Sequence, residues 1–276
     1  MSDDPKISSV GVETDGPAAV TSVPDDRVGF DDFLDDLFGM NIKGLKSLWV
    51  ILTRPSEYFA AALTPKWQGR YTPSFRVWFA IMAVGAALSW IWAGPGAPMF
   101  ELYDDMFMEV GQQANEQLAA SGRQIPLDDF DTGAAATTTL RWTNIFLPFG
   151  YLVTLSLVAF MFRSWGRPAG FIVRLRLVFA TIIPSALLGF LLAGTMSALA
   201  SETFQFMNLI GMAVMVVLYA VTAYRGTFHD QGRIGIGRTL GLTFLIFIAV
   251  LIATFIALIP AVLIAINQHI PAPVTL

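Results

Sequence analysis

The chain contains no cysteine, only two histidines and few charged residues. Without cysteine it cannot form a disulfide framework, a thiolate metal site or a cysteine nucleophile. Charged residues make up 14% of the sequence, whereas soluble domains carry about 25%. Hydrophobic residues make up 55%, so too little charge remains to cover a water-exposed surface. With a formal net charge of −4, this composition excludes an ordinary soluble enzyme, a disordered protein and a nucleic-acid-binding protein.

Five apolar stretches are long enough to cross a hydrocarbon core of about 30 Å. They predict membrane spans at about 75–93, 144–162, 177–198, 206–224 and 239–266. The predicted fold class is therefore all-α: a polytopic membrane bundle of five transmembrane helices over 71–276, with amphipathic helices on the cytoplasmic side. The connection at 94–143 is predicted to be an extracytoplasmic loop.

The basic residues predict the orientation of the chain. Of the 17 lysines and arginines, all except Arg123 and Arg141 fall in segments that five spans place on one side. Because cytoplasmic loops carry the excess of lysine and arginine, the N-terminus is expected in the cytoplasm and the C-terminus outside it. The N-terminus does not resemble a signal peptide, since Asp3 and Asp4 stand where a basic segment is expected.

Residues 1–29 predict a disordered acidic tail, and the segment after them predicts a short amphipathic helix. One face of this helix is apolar and consists of Phe30, Phe33, Leu34, Leu37 and Phe38. The other face is acidic and consists of Asp31, Asp32, Asp35 and Asp36. Anionic lipid would repel this helix, so two interpretations stay open: it covers the protein's own arginine-rich cytoplasmic surface, or it docks into a groove on a protein partner.

The chain then becomes basic over residues 41–70. Ile42, Leu45, Trp49 and Leu52 recur at helical spacing, which predicts a helix lying along the cytoplasmic membrane interface. A second short helix, at 56–63, is expected after a proline. The residues predicted to contact lipid headgroups are Lys43, Lys46, Trp49, Arg163 and Arg167.

The predicted spans offer little catalytic chemistry. Their central parts lack Asp, Glu, Lys, Arg and His, which excludes a buried proton relay, a voltage sensor and a histidine metal site. Pro148, Pro184 and Pro260 predict kinks, either fixed or acting as hinges. The pair His229 and Asp230 lies in a connection without a nucleophile elbow or an oxyanion hole. We therefore predict no catalytic, cofactor-binding or metal-binding residue, and no enzyme activity.

The outer loop at 94–143 is rich in acidic residues. Asp128, Asp129 and Asp131 suggest calcium, but their spacing does not fit the calcium-loop pattern of alternating oxygen ligands followed by glycine. A solvated acidic loop is the favoured interpretation. One or two helices are expected over 99–118, and residues 133–139 are expected to form a flexible linker.

The layout resembles the bacterial branch of the Yip (Ypt-interacting protein) domain family of five-span membrane proteins. The resemblance lies in the run from Ser47 to Phe59 with its Arg54-Pro55 step, in Pro184 within the third span, and in the fourth span. The last of these ends in the sequence Tyr-Ala-Val-Thr-Ala-Tyr ahead of a basic loop. The resemblance implies a bacterial inner-membrane protein. Eukaryotic members bind prenylated small GTPases, but their Tyr-Gly-Pro signature is absent, so the resemblance carries over no functional residue.

Two functions from different classes follow from these observations. The first is a non-enzymatic membrane scaffold or adaptor, with the bilayer and a protein partner of the acidic helix as its contacts and a homo-oligomer as a compatible assembly. The alternative is a channel or transporter subunit for a neutral or apolar solute or lipid, which predicts a polar cavity near Thr181, Ser185 and Asn208. A lipid-modifying enzyme is a weaker third hypothesis, since such chemistry normally needs a carboxylate, histidine or metal at the interface and only His229, Asp230 and the acidic loop are available.

Overall fold

The structure is a computed structural model that describes residues 42–64, 70–92, 98–162, 170–196 and 201–275. The described residues form eight α-helices. In chain order the helices are α1 (Ile42–Thr53), α2 (Pro55–Ala62), α3 (Ser74–Trp92), α4 (Pro98–Ala119), α5 (Thr132–Met161), α6 (Phe171–Met196), α7 (Ser201–Ala223) and α8 (Gly232–His269). Two short strands, β1 (Arg123–Gln124) and β2 (Val274–Thr275), pair antiparallel.

Three helical runs within the described part of the chain are long and apolar enough to cross a membrane: Thr132–Met161, Phe171–Leu192 and Phe206–His269. The third run comprises two helices, α7 and α8, joined by a π-helical turn at Tyr224–Phe228 and a 3₁₀ turn. At the start of α8, Gly232 has a positive φ of 57°, which glycine adopts without steric cost. The chain reverses here and α8 packs against α7. Helix α3 is a shorter apolar helix.

Contacts between helix ends show that five helices alternate in direction. Ser74 Oγ at the start of α3 donates to the Arg176 carbonyl near the start of α6. The ring of Phe162, directly after α5, lies 5.9 Å from that of Phe228, shortly before α8. Leu177 of α6 and Phe162 line one space together with Gly226, so the starts of α3, α6 and α8 lie together with the ends of α5 and α7.

We call this the basic end of the bundle, because most of its ionisable residues are cationic. Its described basic residues are Lys43, Lys46, Arg54, Arg70, Arg76, Arg174, Arg176, Arg225, Arg233 and Arg238. Its described acidic residues are Glu57, which contacts Arg54 and Arg70, and Asp230. This separation of charge agrees with the pattern from which the orientation was predicted.

Helices α1 and α2 pack across the basic end. Tyr58 of α2 is fully buried and donates its phenolic proton to the Thr72 carbonyl at 2.9 Å. Ser47 of α1 accepts from the Thr72 amide at 2.8 Å. Burial raises the pKa of Tyr58 to about 12, so the phenol keeps its proton and its donor even in mildly alkaline solution. These bonds fasten both short helices to the segment that leads into α3.

The most extensive helix pair is α5 against α8, in antiparallel orientation. The side of α8 that faces α5 carries a small residue at every fourth position: Ala249, Ala253, Ala257, Ala261 and Ala265, all buried. Small residues let helix backbones approach closely. At the closest point, a Cβ added to Gly150 would lie 2.7 Å from the Ala253 carbonyl oxygen. Thr138 Oγ1 and His269 Nε2, 2.9 Å apart, join the far ends of the pair.

The acidic connection between α3 and α5 is a folded element from residue 98 onward. Helix α4 is a single helix, and Asn115 Nδ2 within it donates to the Ile125 carbonyl at 2.9 Å. Residues 133–139, expected to be a flexible linker, instead form the first turns of α5. Asp131 caps this helix by accepting from the Ala134 amide at 2.7 Å, and Ala135 is buried among aromatic rings of a second core. We call this the acidic end of the bundle.

The five predicted spans correspond to helices, but their bounds differ. Helix α5 begins twelve residues before the predicted 144, and α8 begins seven residues before the predicted 239. All three prolines predicted to cause kinks, Pro148, Pro184 and Pro260, lie inside helices that continue past them. The prolines therefore do not end these helices, while the kinks stay predictions.

Candidate functional site

A half-open cavity of about 310 Å³ lies between α3, α5, α6 and α7. Its wall is mostly apolar, and the larger apolar residues on it are Trp78, Ile81, Met82, Leu147, Ile182, Phe190 and Met215. Gly85, Ala86, Ala186 and Gly189 leave room where their helices face the space. We call this space the central cavity. It exists because small residues of α3 and α6 stand where larger side chains would fill the bundle.

The floor of the central cavity is closed toward the basic end by a cluster of aromatic rings. Trp78 is 1% exposed, and its ring lies 5.1 Å from that of Tyr151 and 5.2 Å from that of Phe179. These separations fall in the range in which aromatic pairs attract one another beyond their burial. Trp78 therefore serves both the hydrophobic core and the cavity wall.

Polar groups on the wall are few: Asn144, Tyr151, Ser185 and Tyr219. The Ser185 hydroxyl donates to the Ile182 carbonyl at 2.7 Å, and it lies within hydrogen-bonding reach of the Tyr219 phenol. Two phenols and a serine hydroxyl thus lie on one side of a largely apolar space. Such a wall suits a ligand that is mainly apolar and carries a hydroxyl, ester or amide group.

None of the described residues that line the central cavity carries a formal charge at neutral pH. A charged ligand would leave water without a counter-charge to meet it, at a cost of several kcal/mol. A neutral ligand would lose much less, because its polar group can exchange water for the hydroxyls of the wall. The uncharged lining therefore offers better-matched contacts to a neutral ligand than to a charged one.

The sequence predicted a polar cavity near Thr181, Ser185 and Asn208, and the structure places only Ser185 on it. Thr181 is buried and returns its hydroxyl to the Leu177 carbonyl at 2.9 Å. Asn208 lies on the exposed outer side of α7. The remaining polar groups come from Asn144 and from two tyrosines that the sequence analysis did not single out. A signal was present, because Asn144, Leu147 and Tyr151 recur on one helix face.

The residues predicted to contact lipid headgroups lie partly within the described chain. Lys43 and Lys46 are exposed on α1, and Trp49 is 67% exposed. Trp49 shares its outward face with Ile42 and Leu45, while the opposite face of α1 packs on the bundle. The apolar stripe of α1, which was predicted to lie at the membrane interface, is thus left uncovered by the described residues. An interfacial helix requires such an uncovered stripe.

Other predicted site residues lie outside the described ranges. Arg163 and Arg167 belong to this group, as does the whole acidic helix with its docking residues Phe30, Asp31, Phe33, Leu34, Asp35, Leu37 and Phe38. Their roles stay predictions.

The pair His229 and Asp230 lies in the 3₁₀ turn that precedes α8. His229 is exposed on a 3₁₀ turn. Among the residues that the structure describes, no group of three or more His, Cys, Asp and Glu side chains is placed to hold a metal ion. Asp131, which had suggested calcium together with Asp128 and Asp129, instead caps α5.

Comparisons of the chain with protein-family models, with curated sequences and with solved structures give no match. The resemblance to the Yip domain family therefore stays a prediction from the sequence.

Proposed function

We propose that this chain is a five-span membrane protein that holds a neutral, largely apolar molecule in its central cavity, as a step in the transport or handling of a solute or lipid. The observation that carries this proposal is the cavity itself, an uncharged space with hydroxyl groups on one side. A solidly packed bundle would have favoured a purely structural role. The small residues at Gly85, Ala186 and Gly189 instead keep the space open.

The proposed topology has α3, α5, α6, α7 and α8 crossing the membrane, with the basic end in the cytoplasm. Their alternating directions and shared ends support five crossings, although α3 is short. The basic end would lie against the cytoplasmic leaflet, where lysine and arginine are enriched. The acidic end, with α4 and the paired strands, would lie outside, and α1 would rest at the cytoplasmic interface.

Filling the central cavity should abolish binding of a neutral amphipathic probe. The full chain is reconstituted in nanodiscs with a photoactivatable monoacylglycerol, and labelled residues are mapped by mass spectrometry. We expect labelling on Met82 and Met215, which face the cavity from different helices. Ala186→Phe places a ring in the space and should lower labelling of both methionines about tenfold, because the probe and the ring compete for the same volume.

The matched control for this experiment is Gly211→Phe. A side chain at Gly211 meets no atom within 4 Å, so the added ring points away from the bundle and cavity labelling should persist. Equal labelling in the Ala186→Phe variant and the unmodified chain would refute the binding site. Labelling confined to exposed residues such as Met207 would point to ordinary contact with lipid.

The adaptor hypothesis stays a second proposal, supported by the sequence of the acidic helix. It predicts that deleting residues 25–39 releases a protein that otherwise co-purifies with the chain in gentle detergent. The reason is that this segment holds the apolar stripe and the carboxylates of the helix. Quantitative mass spectrometry of both purifications checks it, and an unchanged set of co-purified proteins would refute the docking role.

A further inference from the structure

A second open space lies on the outer surface of the bundle, between α6 and α7. This groove measures about 380 Å³, and its wall is formed largely by Leu187, Leu188 and Leu191 of α6 and by Leu218 and Val221 of α7. Leu191 is 62% exposed and Val221 is 44% exposed. We call it the α6–α7 groove. It is separate from the central cavity, because residues 182, 185, 186 and 189 face the cavity from the opposite side of α6.

One end of the α6–α7 groove is cationic. Arg225, which follows α7, lines the groove at the basic end beside Pro55 of α2. Its guanidinium donates one hydrogen bond to the Thr53 carbonyl, at 3.1 Å, and the side chain is exposed. A guanidinium has five N–H donors, so this anchoring leaves donors for a further acceptor. The ion pairs seen between described side chains join Glu57 to Arg54 and Arg70, and none involves Arg225.

We propose that the α6–α7 groove binds one anionic phospholipid, with its phosphate at Arg225 and an acyl chain along the leucines. The groove matches the two parts of such a lipid. A cationic donor at one end suits the phosphate, and the continuous apolar surface leading away from it suits the acyl chain. Leu218 lies seven residues before Arg225, and both residues line the groove. The groove therefore extends about 10 Å from the charge. This inference rests on the membrane placement proposed above, but not on the ligand of the central cavity.

Charge and shape together favour this occupant over a partner helix. The described residues of the basic end are predominantly cationic, which attracts anionic rather than zwitterionic lipid. A transmembrane partner would require small residues that let its backbone approach, whereas this groove is lined by leucines. An arginine at its end would also be left facing an apolar partner without a counter-charge.

The test is native mass spectrometry of the full chain released from detergent micelles that contain phosphatidylglycerol or phosphatidylcholine with identical acyl chains. We expect one retained phosphatidylglycerol and little phosphatidylcholine. Arg225→Gln removes the charge but keeps a hydrogen-bonding side chain, and it should lower phosphatidylglycerol occupancy about tenfold. Arg233→Gln is the matched control, since Arg233 is exposed at the same end but does not line the groove, and it should leave occupancy unchanged.

A second variant tests the acyl half of the site without changing charge. Leu188→Trp fills the groove and should displace the lipid, whereas Leu240→Trp, at an exposed position of α8, should not.

Equal loss in the Arg225→Gln and Arg233→Gln variants would overturn the proposal in favour of diffuse electrostatic attraction. Equal retention of both lipids, or retention in the Leu188→Trp variant, would also overturn it. Ala186→Phe should leave lipid retention unchanged, which separates this test from that of the central cavity.

Discussion

Replacing Gly150 by valine is expected to destabilise the bundle by about 3 kcal/mol, toward the upper part of the range for overpacked cores. The first side-chain atom would lie 2.7 Å from the Ala253 carbonyl oxygen. Because that oxygen belongs to the backbone of α8, no flexible side chain can move aside, and the two helices must separate. Thermal unfolding of the purified protein in detergent, followed by circular dichroism, measures the effect.

Gly211→Val is the matched control for this substitution. Both glycines lie inside long helices, but a Cβ on Gly211 meets no atom within 4 Å. The control should unfold close to the temperature of the unmodified protein. If both variants unfolded alike, the close contact of α5 with α8 would be wrong.

Replacing Trp78 by alanine is expected to cost about 3–5 kcal/mol, the usual range for removing a large aromatic side chain from a core. The residue is 1% exposed, and three rings surround it, those of Phe79, Tyr151 and Phe179, at 5.0, 5.1 and 5.2 Å. Its loss would also join the space it vacates to the central cavity. The melting temperature in detergent should fall by several degrees, or the protein should fail to accumulate.

Trp49→Ala offers a control that removes the same side chain from a surface. Trp49 is 67% exposed on α1, so the unfolding temperature should change little. An equal drop for both variants would show that α1 is buried by something that the described residues do not include. A negligible drop for Trp78→Ala would contradict the aromatic floor of the cavity.

The long apolar helices were predictable, because each contrasts with the polar segments beside it. Helix α1 was predictable for the same reason, since its apolar residues recur at helical spacing. The first turns of α5 were not. Residues 133–139 are small or polar and show no apolar period. Their helical state depends on the cap from Asp131 and on burial of Ala135 against aromatic rings from α4, which are tertiary contacts.

The central cavity was only partly predictable. Ser185 and Thr181, one turn apart, both indicated a polar site, because a hydroxyl is unusual within an apolar run. The rotation of α6 against its neighbours decides which of these two hydroxyls lines the open space. That rotation is set by packing between the helices. The contribution of Tyr151 and Tyr219 to the cavity was not predicted, because aromatic rings count as apolar in a hydropathy pattern. Their hydroxyls acquire meaning only where the two helices meet.

The pairing of α5 with α8 has a consequence for how the protein is made. These helices share the most extensive interface, yet α6 and α7 lie between them in the chain. During synthesis α5 therefore reaches the membrane before its alanine-lined partner α8 has been made. Until then the face of α5 around Gly150 contacts lipid or an insertion factor. Closure of the bundle is therefore a late event of biogenesis, and a chain truncated before α8 would lack the partner for this face of α5.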